Sequence, residues 1–456
     1  MAENPPAAPA PRPAAGAGRR LLTIPRPTWL AGVMAVLAVG LPGVRVRTSA
    51  EVDERNAHRL YADVLWSSVF AAIAAFNGAF AVRLGASNEL IGLLSSAPPL
   101  VVALLTMPMG ELVERSTRRV RMVALSVLAH RTGFLLVALL PFVFAVGRAE
   151  AFVGVLVLMT VPAALVGIAF NSTFADVVPE SRRAAVISVR SIIASAIVMA
   201  LTPLVGRWLD LVSFPANYQV VYLVGFLTSL FAVRALGQIE APARASRLAA
   251  SSGEKRWPLR VGAAKRLFAE NVPFARITLD TLVHGCGAWL VSPLYIIYYV
   301  RVLGASDQWI GALTAVGSLT AMAGYYVWHR IIVRWGEDLP LRLTILLTGL
   351  FPVAVGLSGS LGAILVFAGV NGLVQPGLAV SHFNTLLRTC PEGRRPTYLA
   401  IFTTIMNVGA FVFPMVGVTL AGWVGINQAM FAGAGLWLIG GVLFSLLPVR
   451  PEPTKA

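Results

Sequence analysis

Six ionisable residues lie inside otherwise apolar stretches of the chain: Asp63, His130, Arg131, Arg190, Asp280 and His284. Charged groups at membrane depth are expensive and tend to face a cavity or a partner. Arg131 stands about ten residues into its apolar stretch, roughly 15 Å deep at the helical rise. Arginine does not shed its proton, so it needs an acid, carbonyls, water or an anionic ligand. It is therefore either a cavity residue, which would tilt the ligand toward an anionic or zwitterionic solute, or half of a structural ion pair. The expected place for Arg131 is a central cavity between the two halves of the chain. Asp63 and Asp280 sit near the same end of corresponding stretches, with Arg190 as a candidate partner for Asp63; proton coupling and ion pairing are both open to them. His284 follows Asp280 by one helical turn on the same face, which suits a titrating pair as well as a structural histidine. Asn77, Asn171, Asn371, Gln375 and Asn407, with His382 and Asn384, offer neutral hydrogen bonds to a solute or between helices.

The elements that must hold these groups follow from composition. Hydrophobic residues make up 57% of the chain and charged residues 13%, about half the charge of a soluble domain. Mean hydropathy is +0.75. This is a polytopic membrane protein. Apolar stretches long enough to span a bilayer run at about 61–82, 88–111, 121–146, 150–172, 185–207 and 218–236, then 273–300, 307–332, 340–358, 361–383, 397–420 and 427–447. The expected architecture is all-α: a segment 1–60 with a Pro/Ala-rich start and an interfacial or re-entrant helix near 29–44, a six-helix bundle 61–236, a basic linker 237–272 with an amphipathic helix, a second bundle 273–448 and a tail 449–456.

Leu84-Gly85-Ala86-Ser87-Asn88-Glu89-Leu90-Ile91-Gly92 returns as Leu303-Gly304-Ala305-Ser306-Asp307-Gln308-Trp309-Ile310-Gly311. Pro179-Glu180-Ser181-Arg182-Arg183 returns as Pro391-Glu392-Gly393-Arg394-Arg395, and Pro203-x-x-Gly206 as Pro414-x-x-Gly417. Three pairs in one order mark a duplicated unit. With an even number of spans in each copy, the repeat is parallel, about an axis along the membrane normal. Arginines crowd the loops after the second, fourth, sixth, eighth and tenth spans, which places both termini and the linker in the cytoplasm of an inner or plasma membrane. The net charge of +16 is then topological and does not indicate nucleic acid. The Leu-Gly-Ala-Ser copies read as corners, with glycine for the turn and serine for the helix start.

The loop after the second span carries Gly110, Leu112, Glu114, Arg115, Arg118 and Arg119. A small residue there lets helices approach, and an acid beside a basic cluster can form an ion pair that locks one arrangement of helix ends. This segment resembles the loop signature of the major facilitator superfamily, Gly-x-Leu-x-Asp-Arg-x-Gly-Arg-Arg, with Glu114 for Asp and Thr117 for the second Gly. The second copy keeps Arg334 and Gly336, but Val333 replaces the acid and His329 the first Gly. The resemblance, over about 60–448, implies a secondary transporter that rocks two bundles around a central site. Pro203-x-x-Gly206 loosely resembles the fifth-helix antiporter motif of that family, with Thr202 and Arg207 in place of glycines, which slightly favours export. A receptor or scaffold that kept the fold is the alternative. No phosphate-binding loop, zinc spacing or nucleophile elbow occurs, and Cys286 and Cys390 suggest no disulfide framework. The expectation is therefore no enzyme, cofactor or metal; the partners are a small solute, protons or another coupling ion, and lipid, with the chain acting as a monomer.

Overall fold

The computed structural model describes residues 52–240, 261–391 and 394–446. Among them, 12 helices are long and apolar enough to cross a membrane. Spans 1 to 6 are Val52–Arg83, Asn88–Arg115, Arg119–Val143, Arg148–Val177, Glu180–Leu211 and Ala216–Gly237. Spans 7 to 12 are Val272–Val302, Asp307–Trp335, Asp338–Leu357, Leu361–Thr389, Thr397–Val424 and Ile426–Leu446. The segment near 29–44, most of the linker and the tail lie outside the described residues. The linker's last part is a helix, Val261–Glu270, with Leu267 buried and Arg266 and Glu270 exposed.

Packing follows the duplication. In the first bundle span 1 packs on 5 and 6, span 2 on 4, and span 3 on 4 and 6; in the second, span 7 packs on 11 and 12, span 8 on 10, and span 9 on 10 and 12. Each pair has its counterpart six spans on. The bundles meet chiefly through two symmetric contacts, span 5 on span 8 and span 2 on span 11. A parallel repeat demands this, because one rotation about the membrane normal exchanges the two contacts.

The corners form as their residues dictate. Gly85 and Gly304 take φ of 85° and 64°, a region open to glycine without steric cost. Ser87 Oγ then accepts from Leu90 N at 3.3 Å, and Ser306 Oγ from Trp309 N at 3.2 Å, capping spans 2 and 8. Span 1 starts at Val52, ahead of the expected 61, since its charged first turns are helical: Arg55 and Arg59 reach Glu240 at 3.4 and 3.2 Å. Span 1 is broken at Ala75–Phe76, between helices Val52–Ala74 and Asn77–Arg83, and span 7 ends in a π-turn, Tyr298–Val302.

Three apolar cores result. One takes residues from both bundles near the corners, among them Phe80, Phe134, Tyr218, Leu290, Tyr298 and Ile310. The second, around Leu60, Val123 and Phe174, belongs to the first bundle alone, and the third, around Phe274, Ile345 and Tyr398, to the second bundle alone. Both single-bundle cores lie toward the arginine-rich ends of the spans. The molecule is thus joined at the corner end and divided at the other.

Candidate functional site

At the corner end two arginines reach across between the bundles in the same way. Arg83, closing span 1, lies 3.0 Å from Asp307 and donates to the carbonyl of Ala305 at 3.1 Å. Arg301, in the π-turn closing span 7, donates to the side chain of Asn88 and the carbonyl of Ala86. Asn88 and Asp307, and Ala86 and Ala305, are equivalent positions of the repeated corner. The clamp is therefore reciprocal, each bundle holding the other's corner, with one arm ionic and one neutral. The buried Asp307 also accepts from the Tyr218 hydroxyl at 2.7 Å. Asp210, ending span 5, accepts the N–H groups of Asp307 and Gln308 at 2.9 and 2.8 Å, so it serves as an anionic cap on span 8 from the other bundle.

Beneath the clamp the backbones touch. Thr202 Oγ1 lies 3.1 Å from the Gly311 carbonyl. A Cβ on Gly206 would stand 2.9 Å from both the carbonyl carbon of Asp307 and Cα of Gln308, and one on Gly92 would stand 2.8 Å from Val418. Pro203-x-x-Gly206 is thus a close-packing surface between bundles. A cavity of about 560 Å³ lies over the clamp, lined by Arg83, Asp210, Val212, Phe214, Arg301 and Asp307 among others.

At the arginine-rich end every ion pair among the described residues stays within one bundle. Arg119 meets Asp176 at 2.8 Å, tying the loop after span 2 to the end of span 4. The exposed Arg115 meets Glu111 at 3.4 Å. In the second bundle Arg388 meets Glu337 at 2.8 Å, and Asn384 donates to the same carboxylate at 2.9 Å. The signature residues Leu112, Glu114, Arg115 and Arg118 are exposed, and a Cβ on Gly110 would meet nothing within 4 Å. The close approach expected at Gly110 is absent because the opposite bundle is not packed there; the acid that holds Arg119 is Asp176. In the second copy Arg334 is exposed and Gly336 ends span 8 with φ 75°.

Between the ends lie the other candidates. Asp63 is buried, 2.9 Å from Arg190, and accepts from Ser67 at 3.1 Å; Arg190 also donates to the Leu60 carbonyl. Arg131 is 9% exposed, with its guanidinium 3.5 Å from the centre of the Phe70 ring and its Nε without a partner. His130 packs against the same ring. Arg131 stands on span 3, which packs chiefly on spans 4 and 6, and its guanidinium faces Phe70 of span 1. Asn77 accepts from the Tyr222 hydroxyl at 2.8 Å. Asn171 lines a cavity of about 330 Å³ between spans 2 and 4, with Thr106, Thr160 and Gly167. Asp280 is buried in the second bundle; His284, near His382, and Asn371, Gln375 and Asn407 are half-buried. The structure thus brings together Asp63 with Arg190.

Sequence reasoning did not single out Arg83, Asp210, Tyr218, Arg301 and Asp307. The signal it held was a charged residue immediately before, or within, each copy of the corner.

The profile of the Major Facilitator Superfamily matches residues 64–279 and 277–456, and the chain belongs to this family. Among solved structures, a bacterial homologue of the human lysosomal transporter Spinster, inward-facing and unoccupied, superposes with TM-score 0.62 at 15% identity, covering 89% of this chain and all of that one. A variant of the nucleoside transporter NupG gives 0.65 at 11%, covering 87% and 99%. A D-xylose–proton symporter gives 0.61 at 13%, covering 93% and 98%. At these identities the likeness is one of fold. No curated protein matches the sequence significantly.

Proposed function

We propose that the protein is a gradient-driven secondary transporter that carries a small solute across the cell membrane by alternating access, with both termini cytoplasmic. The observation that carries this reading is the division of the molecule along its length. One apolar core and a reciprocal polar clamp join the bundles at the corner end, while each bundle closes on its own core at the arginine-rich end. With arginine-rich loops inside, this is an inward-facing state: the outer clamp is closed and the solute path opens to the cytoplasm. Asn171 of the first bundle, with Asn371, Gln375 and Asn407 of the second, supplies hydrogen bonds along that path. Arg119–Asp176 and its neighbours keep each bundle rigid as it swings, and Pro203-x-x-Gly206 favours export.

Counterflow in proteoliposomes tests the reading. Exchange of a labelled solute from a broad panel, abolished by Gly110→Asp in folded protein, is the expected result. A panel without exchange or binding, together with spin-label distances across both ends that never change, would sink it. Gly110→Asp is informative because this glycine meets nothing in the inward-facing state, so loss of exchange would mark the opposite state.

A further inference from the structure

We infer that the second bundle holds the exchangeable coupling proton, on Asp280 with His284 and His382 as its surroundings, and that the first bundle does not. This inference rests on the transporter reading above. Asp280 is 1% exposed, and its Oδ2 has no hydrogen-bond partner. The acid near the same end of span 1, Asp63, stands two residues closer to its corner than Asp280 does and is satisfied by Arg190 and Ser67. The corresponding turn of span 11 carries Ile401 and Phe402, and no Lys or Arg occurs between Pro396 and Val424. Span 11 thus brings Asp280 no base, and the cation that acts on it is Arg276 of its own helix.

What surrounds Asp280 fits a proton. Thr281 donates to the Ile277 carbonyl at 2.6 Å, so its oxygen is left to accept from His382 Nε2 at 2.7 Å. His284 lies one turn beyond Asp280, with its Nδ1 buried and without a partner and its ring 5.1 Å from that of Trp437. Ser381 Oγ and Trp437 Nε1 are likewise unpartnered. The charged or titratable groups that face the cluster are Arg276 on span 7 itself and His382 on span 10; spans 11 and 12 bring Phe402, Phe444 and Trp437, which do not titrate.

An ionised carboxylate is costly to bury without a counter-charge. Binding one proton turns the carboxylate into a neutral acid and gives it a donor, with the unpartnered Nδ1 of His284 one turn away as the candidate acceptor. Losing the proton restores the charge and makes the buried state costly, so occupancy and bundle conformation are linked. A sodium ion would need several more oxygen ligands than one carboxylate and two hydroxyls.

The test uses the full chain in lipid vesicles without solute. Infrared difference titration is expected to show the carbonyl band of a protonated aspartic acid growing in as the pH is lowered, lost in Asp280→Asn and kept in Asp63→Asn. Trp437 fluorescence is expected to follow the same titration and to ignore added sodium. Isotope-labelled aspartate in the unaltered chain gives the readout without a substitution. Absence of the band there, its survival in Asp280→Asn, or a shift with sodium would each overturn the assignment. Solute exchange without this titration would leave transport standing and remove the proton site. Titration without exchange would remove the transport reading and leave Asp280 as a proton site.

Discussion

The two ends of this molecule use the same chemistry for opposite purposes. At the corner end arginines pair across the bundle interface: Arg83 with Asp307 and Arg301 with Asn88. At the arginine-rich end they pair within a bundle, Arg119 with Asp176 and Arg388 with Glu337, as does Arg190 with Asp63 between the ends. In the alternating-access reading, a pair across the interface must break for the bundles to rock, so its strength sets a population. A pair within a bundle survives the motion, so its strength sets rigidity. The location of an ion pair, more than its geometry, decides whether it acts as a latch or a brace.

Substitutions can separate the two roles. The readout for the latch is reagent access to a cysteine at Val212, beside the corner cavity, in a chain whose native cysteines are replaced. Asp307→Ala leaves the half-buried Arg83 without its counter-charge, held by the Ala305 carbonyl, and takes from the buried Tyr218 hydroxyl its carboxylate acceptor. Losses of this kind run to about 2–5 kcal/mol, so access at Val212 is expected to rise about 30-fold or more, with folding stability changing much less. Gly206→Val forces a side chain onto the backbone of span 8, at about 1–3 kcal/mol of overpacking, and is expected to open the same end several-fold. If neither variant changes access, the clamp does not set the population.

Arg119→Ala should do the reverse. It is expected to lower thermal stability by about 1 kcal/mol and leave access at Val212 unchanged. A large change in access would mean that the brace also latches. Asn88→Asp makes the neutral arm ionic; Arg301 is exposed, so a gain of about 0.2–1 kcal/mol is expected, seen as slower labelling at Val212. The smallest effect belongs to Glu240. The Arg59 hydrogen bond, then Arg55, holds its carboxyl below the usual value. A depressed carboxylate stabilises the fold above its unfolded value and loses that contribution as pH falls through its folded value. Acidification is therefore expected to free the start of span 1, read as faster amide exchange at Arg55 to Arg59, and Glu240→Gln should abolish the pH dependence.

The twelve spans and the parallel repeat were legible because hydropathy and duplicated motifs are local patterns. The corners were legible for the same reason: glycine and serine at fixed offsets state a turn and a helix start. Their role as the interface was not, because Arg83 meets Asp307 across 224 positions of sequence, and nothing local says which distant helix a corner will face. The start of span 1 was misplaced since a hydropathy window ends where charge begins, while the helix runs on into charged turns clasped by Glu240. Depth gave Arg131 a level in the membrane, but not the Phe70 ring of span 1 that its guanidinium meets.

The π-turn at the end of span 7 has a consequence for how the two halves diverged. Arg83 precedes its corner leucine by one residue, and Arg301 precedes Leu303 by two. In an unbroken α-helix that extra residue would swing the arginine about 100° around the axis, away from its target. The wider turn absorbs the insertion where it occurred and restores the arginine's aim. The second half thus tolerated a length change without losing its grip on the first. Deleting Val302 is the converse experiment: it would bring Arg301 into the spacing of Arg83 and shorten by one residue the reach from the corner down to Asp280.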